Sequence, residues 1–184
     1  MVSRTRLTGL WGELAALDRE WSGRMRIREG SRWVRLVALV VAHLGDSPLW
    51  AVVSAALYWL GDARLRAAVL LMAAAVIAAA VINFGIKNLV RRSRPGGYSP
   101  WLYSRRMDQH SFPSGHAARA GAVAATISAA YPSLWPVLLV YALGVAAARV
   151  ALGAHFLGDV LFGLLLGGLV GLGCVLALAP MLAL

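Results

Sequence analysis

The chain has 184 residues, 60% of them apolar and only 14% charged, with a mean hydropathy of +0.69 and a formal net charge of +10. A water-soluble domain carries about 25% charged residues, so the composition excludes an ordinary soluble domain and fits one domain embedded in a membrane. The same positive charge on a soluble chain would suggest nucleic acid, but no basic-aromatic face or zinc-ligand spacing accompanies it; the basic residues flank apolar runs, as suits phospholipid headgroups or a phosphorylated substrate.

The N-terminal stretch is arginine-rich without a central apolar core, so no secretory signal is expected. Thr5 to Ile27 reads as an amphipathic helix. Leu7, Leu10, Trp11, Leu14, Leu17 and Trp21 recur at helical spacing among Arg4, Arg6, Arg19 and Arg24, the pattern of a helix lying in the membrane interface. The alternative is a helix docked on the rest of the chain. Trp33 to Leu44 is apolar but too short for a hydrocarbon core of about 30 Å at about 1.5 Å per residue, so it is expected to be interfacial or re-entrant. Gly45-Asp46-Ser47-Pro48 stops it and starts the next helix, with Ser47 as cap and Pro48 in the first turn.

Residues 1–47 thus form an interfacial segment and 48–184 the transmembrane core of a single domain. Spanning helices are expected over Leu49 to Leu60, Ala67 to Ile86, Ala117 to Tyr131, Leu134 to Leu152 and Val160 to Leu184. The fold class is all-α, a polytopic bundle of about five to six membrane helices behind the amphipathic N-terminal helix. Gly163, Gly167 and Gly171 make a small-residue stripe suited to close helix packing within the chain. Cys174 is the single cysteine, so no intrachain disulfide is possible.

Ionisable residues near such helices are expensive and functional by default. Lys87 lies at the exit of one helix, Arg94 follows it, His116 opens the next, Arg149 lies near the end of the one after, and His155 and Asp159 open the last. Counting spans puts all six at one membrane face. Lys87, Arg94 and Arg149 suit phosphate oxygens, the arginines with a planar fork. Ser114, Gly115 and His116 stand at a helix start, where amides and dipole favour an anion, and Gly115 permits close approach. Asp159 lies one turn after His155, placed to hold one imidazole nitrogen while the other attacks; His116 is then available as the acid for the leaving group.

These residues carry a resemblance. Lys87 with Arg94-Pro95, then Pro113-Ser114-Gly115-His116, then Arg149 with His155 and Asp159 resembles the three-part signature of the type 2 phosphatidic acid phosphatase (PAP2) superfamily. "LDREWSGRM", "VRRSRP", "SFPSGHAARA" and "ARVALGAHFLGDVLFG" are similar to its polyisoprenoid (presqualene) diphosphate phosphatase branch. The resemblance implies a metal-independent lipid phosphatase without cofactor. His155 would form a phosphohistidine, Asp159 would orient it, and His116 would protonate the leaving oxygen and later activate water. Lys87, Arg94, Ser114, Gly115 and Arg149 would bind the phosphoryl group. Ala148 stands where many members have serine, removing one hydroxyl near the phosphate. Arg119, on the His116 face of its helix, either reaches a distal phosphate or snorkels to headgroups.

Rival readings are a haloperoxidase, which hydropathy and length oppose; a silent scaffold homologue, which should have lost a catalytic position; and a transporter, which would carry its charges nearer the bilayer centre. His43 reads as interfacial or structural, Asp46 and Asp62 as helix-end residues, and Asp108 as ordering its loop. Trp33, Trp50, Trp59, Trp101 and Trp135 read as an interfacial aromatic belt. The expected partner is a membrane lipid phosphate, an isoprenoid (di)phosphate first, with phosphatidic acid and phosphatidylglycerophosphate as alternatives. No metal or nucleic acid is expected, and a homo-oligomer is left open. The expected location is the cell membrane. If residues 1–47 stay on the active face, the N-terminal arginines and the cations of residues 87–106 share it, against Arg64 and Arg66 opposite, and the positive-inside rule favours a cytoplasmic site; a crossing by Trp33 to Leu44 would move the N-terminus to the other face and weaken that bias.

Overall fold

The computed structural model describes residues 4–27, 32–95 and 110–182. Trp101 and Asp108 lie outside the described residues. The elements are α1 (Arg4–Met25), α2 (Arg32–His43), α3 (Ser47–Leu60), α4 (Ala63–Val90), α5 (Gly115–Ala130), α6 (Trp135–Ala151) and α7 (Leu157–Leu178), with 3-10 turns at Pro132–Leu134 and Ala179–Leu182. Among the described residues there is no strand.

Among the described residues, three helices are long and apolar enough to cross a membrane: α4, the Pro132–Ala151 stretch and α7. The pair α2–α3 passes the same test jointly and is bent by 54°. Two hydrogen bonds give its direction. At the start, the Ile27 N–H donates to the carbonyl of Ala151, the last residue of α6, at 3.0 Å. Past the end, Arg64 Nη2 donates to the carbonyl of Ala130, the last residue of α5, at 2.7 Å. The pair therefore runs from one end of the bundle to the other as a broken span. This corrects the interfacial or re-entrant reading of Trp33 to Leu44, which counted α2 alone. The break also shifts the cap: Asp46, not Ser47, is the N-cap of α3, with Pro48 in the first turn.

Lipid tails are as apolar as leucine, so helices in a bilayer associate by close packing rather than by hiding apolar surface. The buried core accordingly consists largely of alanine, including Ala68, Ala75, Ala79, Ala117, Ala120 and Ala122, while leucines of α7 such as Leu161, Leu165 and Leu169 face outward. Alanine-rich α5 packs against α4, α6 and α7. The glycine stripe of α7 meets it: a Cβ at Gly163 would lie 2.6 Å from the Ser114 carbonyl oxygen, and one at Gly167 would penetrate the Ala118 carbonyl. The stripe is an intramolecular packing surface, as its spacing suggested. Ala148 packs with Ala38 and Ala42 of α2. Its side chain serves that helix contact.

Helix α1 docks on the rest of the chain, the alternative reading for it. Trp11, Leu14, Leu17 and Trp21 are exposed. Its other side docks on the start of α7, where Asp18 Oδ1 accepts from the Gly158 N–H and Ser22 Oγ accepts from the Leu157 N–H, each at 2.8 Å. Trp33, Trp59 and Trp135 are exposed at the ends of α2, α3 and α6. Trp50 departs from the aromatic belt, because its Nε1 donates to the Leu44 carbonyl at 2.8 Å and to the Tyr141 hydroxyl at 2.9 Å.

Candidate active site

The end of α4, the starts of α5 and α7 and the end of α6 converge at one end of the bundle. They bring Lys87, Arg94, Ser114, Gly115, His116, Arg149, His155 and Asp159 into one region. Lys87, Ser114, His116, Arg149, His155 and Asp159 are buried. The first turns of α5 and α7 are joined directly, since the Ser114 N–H donates to the Asp159 carbonyl at 3.0 Å. Ser114 is the N-cap of α5, with its side chain accepting from the Ala117 N–H. Its own amide is therefore committed to α7, and the positive end of α5 is presented by the residues after it.

His155 is held in a definite tautomer. Its Nδ1 lies 2.8 Å from the Ser111 carbonyl oxygen, which can only accept, so Nδ1 carries the proton. Nε2 then holds the lone pair, and Arg94 Nη1 approaches it at 3.3 Å. The same Arg94 nitrogen donates to the Ala154 carbonyl at 3.0 Å, tying the arginine to the turn before α7. That turn is itself set by α6, whose Arg149 carbonyl accepts from the N–H groups of Ala154 and His155.

Asp159 serves a different immediate partner from the one expected. Its Oδ2 is 3.6 Å from His155 Nδ1, beyond hydrogen-bond length. Oδ2 instead accepts from the Phe156 N–H and Oδ1 from Arg92 Nη1, both at 2.8 Å. The carboxylate thus acts on the imidazole through space, while the Ser111 carbonyl sets the ring's direction. Ser111 is anchored in turn to the far side of the long loop: its N–H donates to the Arg92 carbonyl and its Oγ to the Ser93 carbonyl.

Arg92, Asp18 and Ser22 were not singled out from sequence as site residues. Arg92 Nη2 donates to Asp18 Oδ2 at 2.7 Å, and its guanidinium carbon stands 4.1 Å from the centre of the Phe156 ring. It therefore bridges the docked helix α1 and the buried carboxylate of α7. The quoted stretches "LDREWSGRM" and "VRRSRP" contain these residues; the missing signal was their pairing across the chain.

Asn83 was also missed. It is buried one turn before Lys87 and donates weakly to the Pro113 carbonyl at 3.4 Å. Between α4 and α5, Asn83, Lys87, Gly115 and Arg119 form the polar side of a cavity of about 180 Å³, with Val76, Ala80 and Phe84 on its apolar side. Arg119 is expected from sequence either at a distal phosphate or among headgroups. It lines this cavity beside Lys87 and commits one Nη1 bond to the Gly45 carbonyl. His116 Nε2 meets Asp46 Oδ1 at 2.7 Å, so Asp46 is more than a helix-end residue.

The family model of the PAP2 superfamily matches residues 68–180. The chain is 34% identical over 131 residues to the decaprenylphosphoryl-5-phosphoribose phosphatase of Mycobacterium tuberculosis, in strains CDC 1551 and H37Rv, covering 71% of this chain and 73% of the relative. Among solved structures it resembles a transmembrane PAP2-type phosphatidylglycerolphosphate phosphatase from Bacillus subtilis, with TM-score 0.68 and 28% identity over 88% of this chain and 84% of that one. Aquifex aeolicus LpxE shares the fold, with TM-score 0.70 and 21% identity over 86% of this chain and 94% of that one.

The Asp18–Arg92–Asp159 bridge gives a graded prediction. Ser22→Ala removes one cap from α7 and should cost about 1 kcal/mol. Arg92→Ala leaves the buried Asp159 short of a partner and should cost on the order of 2–3 kcal/mol, with loss of most activity. Thermal unfolding in detergent and a double-mutant cycle with Asp18→Ala check this. Strictly additive effects of Arg92→Ala and Asp18→Ala would show that the bridge transmits nothing.

Proposed function

The chain belongs to the PAP2 superfamily and is a membrane-embedded phosphate ester hydrolase, and from that premise we propose that it dephosphorylates an isoprenoid lipid phosphate through a phosphohistidine on His155. The observation that carries the mechanism is the fixed tautomer of His155. With the proton on Nδ1 and the lone pair on Nε2, the ring is poised for attack on phosphorus beside a guanidinium.

The steps follow from the residues present. Lys87, Arg94 and Arg149 offset the charge of the phosphoryl oxygens, and the first turn of α5 adds amides and its dipole. Asp159 stabilises positive charge growing on His155 as the phosphorus–nitrogen bond forms. His116 gives its proton to the departing oxygen. It then takes one from the water that attacks phosphorus and releases phosphate. The three cations already supply the positive charge that a metal would otherwise provide, which supports a metal-independent reaction.

A lipid substrate is supported by the cavity between α4 and α5, polar towards Lys87 and apolar towards Val76, Ala80 and Phe84. The isoprenoid class is supported by the Mycobacterium tuberculosis relative, whose name places its phosphate on a decaprenyl-linked sugar. Phosphatidylglycerophosphate is the second reading, favoured by the Bacillus subtilis neighbour. A cytoplasmic side is supported by α1: its docking on α7 brings Arg19 and Arg24 to the active end, whereas Arg64 lies at the other end beside Ala130. The active face is proposed to be cytoplasmic.

Two experiments test this reading. Purified protein in detergent with EDTA should release phosphate from decaprenylphosphoryl-5-phosphoribose or a polyprenyl diphosphate faster than from phosphatidic acid or phosphatidylglycerophosphate. His155→Ala should lower the rate roughly 10³-fold or more. Glycerolipid phosphates turned over faster than every isoprenoid would overturn the substrate class. For sidedness, Arg24→Cys in a Cys174→Ser background should react in intact cells only with a membrane-permeant maleimide. Labelling by an impermeant reagent would reverse the orientation.

A further inference from the structure

We propose that Asp46, which lies outside the three motif segments, is a positioning residue for His116, with His43 holding its second carboxylate oxygen. The proposal rests on the acid–base role given to His116 above.

Aspartate at a helix N-cap ordinarily accepts from the amides of the first turn. Asp46 is the N-cap of α3 and makes no such bond. Both of its oxygens go to histidines instead: Oδ1 to His116 Nε2 and Oδ2 to His43 Nδ1, each at 2.7 Å. The His116 side chain is only 4% exposed, so solvent does not orient it. The carboxylate does.

The corner that carries Asp46 is clamped from three elements. Arg119 of α5 donates to the Gly45 carbonyl. Trp50 of α3 and Tyr141 of α6 both donate to the Leu44 carbonyl, at 2.8 and 3.2 Å. The corner is also pressed against the imidazole. A Cβ on Gly45 would come within 3.2 Å of His116 Cδ2 and 2.8 Å of Val145 Cγ1, so glycine is what permits the approach. The break in the α2–α3 span thus delivers a carboxylate to the acid–base histidine.

The chemical consequence concerns which nitrogen works. With Nε2–H donating to Asp46, the proton is exchanged at Nδ1. As the phosphorus–oxygen bond of the substrate breaks and the His155 Nε2–phosphorus bond forms, protonated His116 passes its Nδ1 proton to the lipid oxygen. In the second half, water gives a proton to Nδ1 while its oxygen bonds to phosphorus and the phosphorus–nitrogen bond breaks. Asp46 remains a carboxylate throughout. It stabilises the imidazolium against the burial of the ring first, and then against the positive charges of Arg149 on α6 and Arg119 on α5.

Asp46→Asn tests this, because asparagine is an equally good N-cap and preserves the shape while removing the charge. The variant should unfold at the wild-type temperature, keep KM within about twofold, and lose kcat roughly 10- to 100-fold, part of the 10²–10⁴ that a proton-transfer group supplies. Added to His116→Ala, it should cause no further loss. A wild-type kcat, a loss that multiplies with His116→Ala, or KM and unfolding temperature falling together with kcat would each overturn the proposal. A wild-type chain that hydrolyses no lipid phosphate would overturn the functional reading. The pairing is then read separately from the ¹⁵N-coupled Nε2–H resonance of His116, which Asp46→Asn should shift. A resonance left in place by that substitution would overturn the pairing itself.

Discussion

The close approach of α5 and α7 is the constraint on which the rest of the structure depends. Glycines at 163 and 167 let the α7 backbone reach the α5 carbonyls, and the gain is contact rather than hidden apolar surface, because lipid offers no hydrophobic penalty to escape. That approach joins the two first turns through the Ser114 amide and Asp159 carbonyl. It thereby fixes His116, on one helix, relative to His155 and Asp159, at the start of the other. A side chain in the stripe would separate the helices and, with them, His155 and His116, the proposed nucleophile and acid.

Burying Asp159 completely requires that its charge be answered. The protein answers it with Arg92 and the Phe156 amide, and holds Arg92 in turn with Asp18 on α1. The amphipathic helix α1 is in this way tied to the end of the bundle that carries the candidate site. The same economy appears on the other side, where a break in the α2–α3 span supplies Asp46 to His116. Both histidines are therefore oriented by groups supplied from elements outside their own helices: the Ser111 carbonyl for His155 and the Asp46 carboxylate for His116.

What the sequence revealed was whatever repeats along a helix or stands out against apolar neighbours. The helices from α4 onward were legible from hydropathy. Lys87, Arg94, His116, Arg149, His155 and Asp159 were legible because charge is costly there, and span parity alone brought them to one end. The glycine stripe was legible from its spacing. What failed was anything decided by contact between distant segments. Trp33 to Leu44 was judged by its own length, and only its bond to α6 and the bond from Arg64 to α5 reveal half of a broken span. Asp46 is a helix-end residue as its position suggests, but its side-chain partners lie on two different helices, which local pattern does not show. Asp159 was paired with His155 from helical spacing, and the structure interposes the Ser111 carbonyl, which no side-chain pattern advertises.

Covalent phosphorylation of His155 is the step on which the proposed reaction turns. The direct measurement is rapid acid-free quenching of the purified protein with a ³²P-labelled isoprenoid diphosphate, labelled on the transferred phosphorus, followed by mapping of the labelled peptide. An acid-labile, base-stable label is expected on the peptide containing His155 and absent from His155→Ala. Turnover without any such label, or a label that persists in His155→Ala, would contradict it.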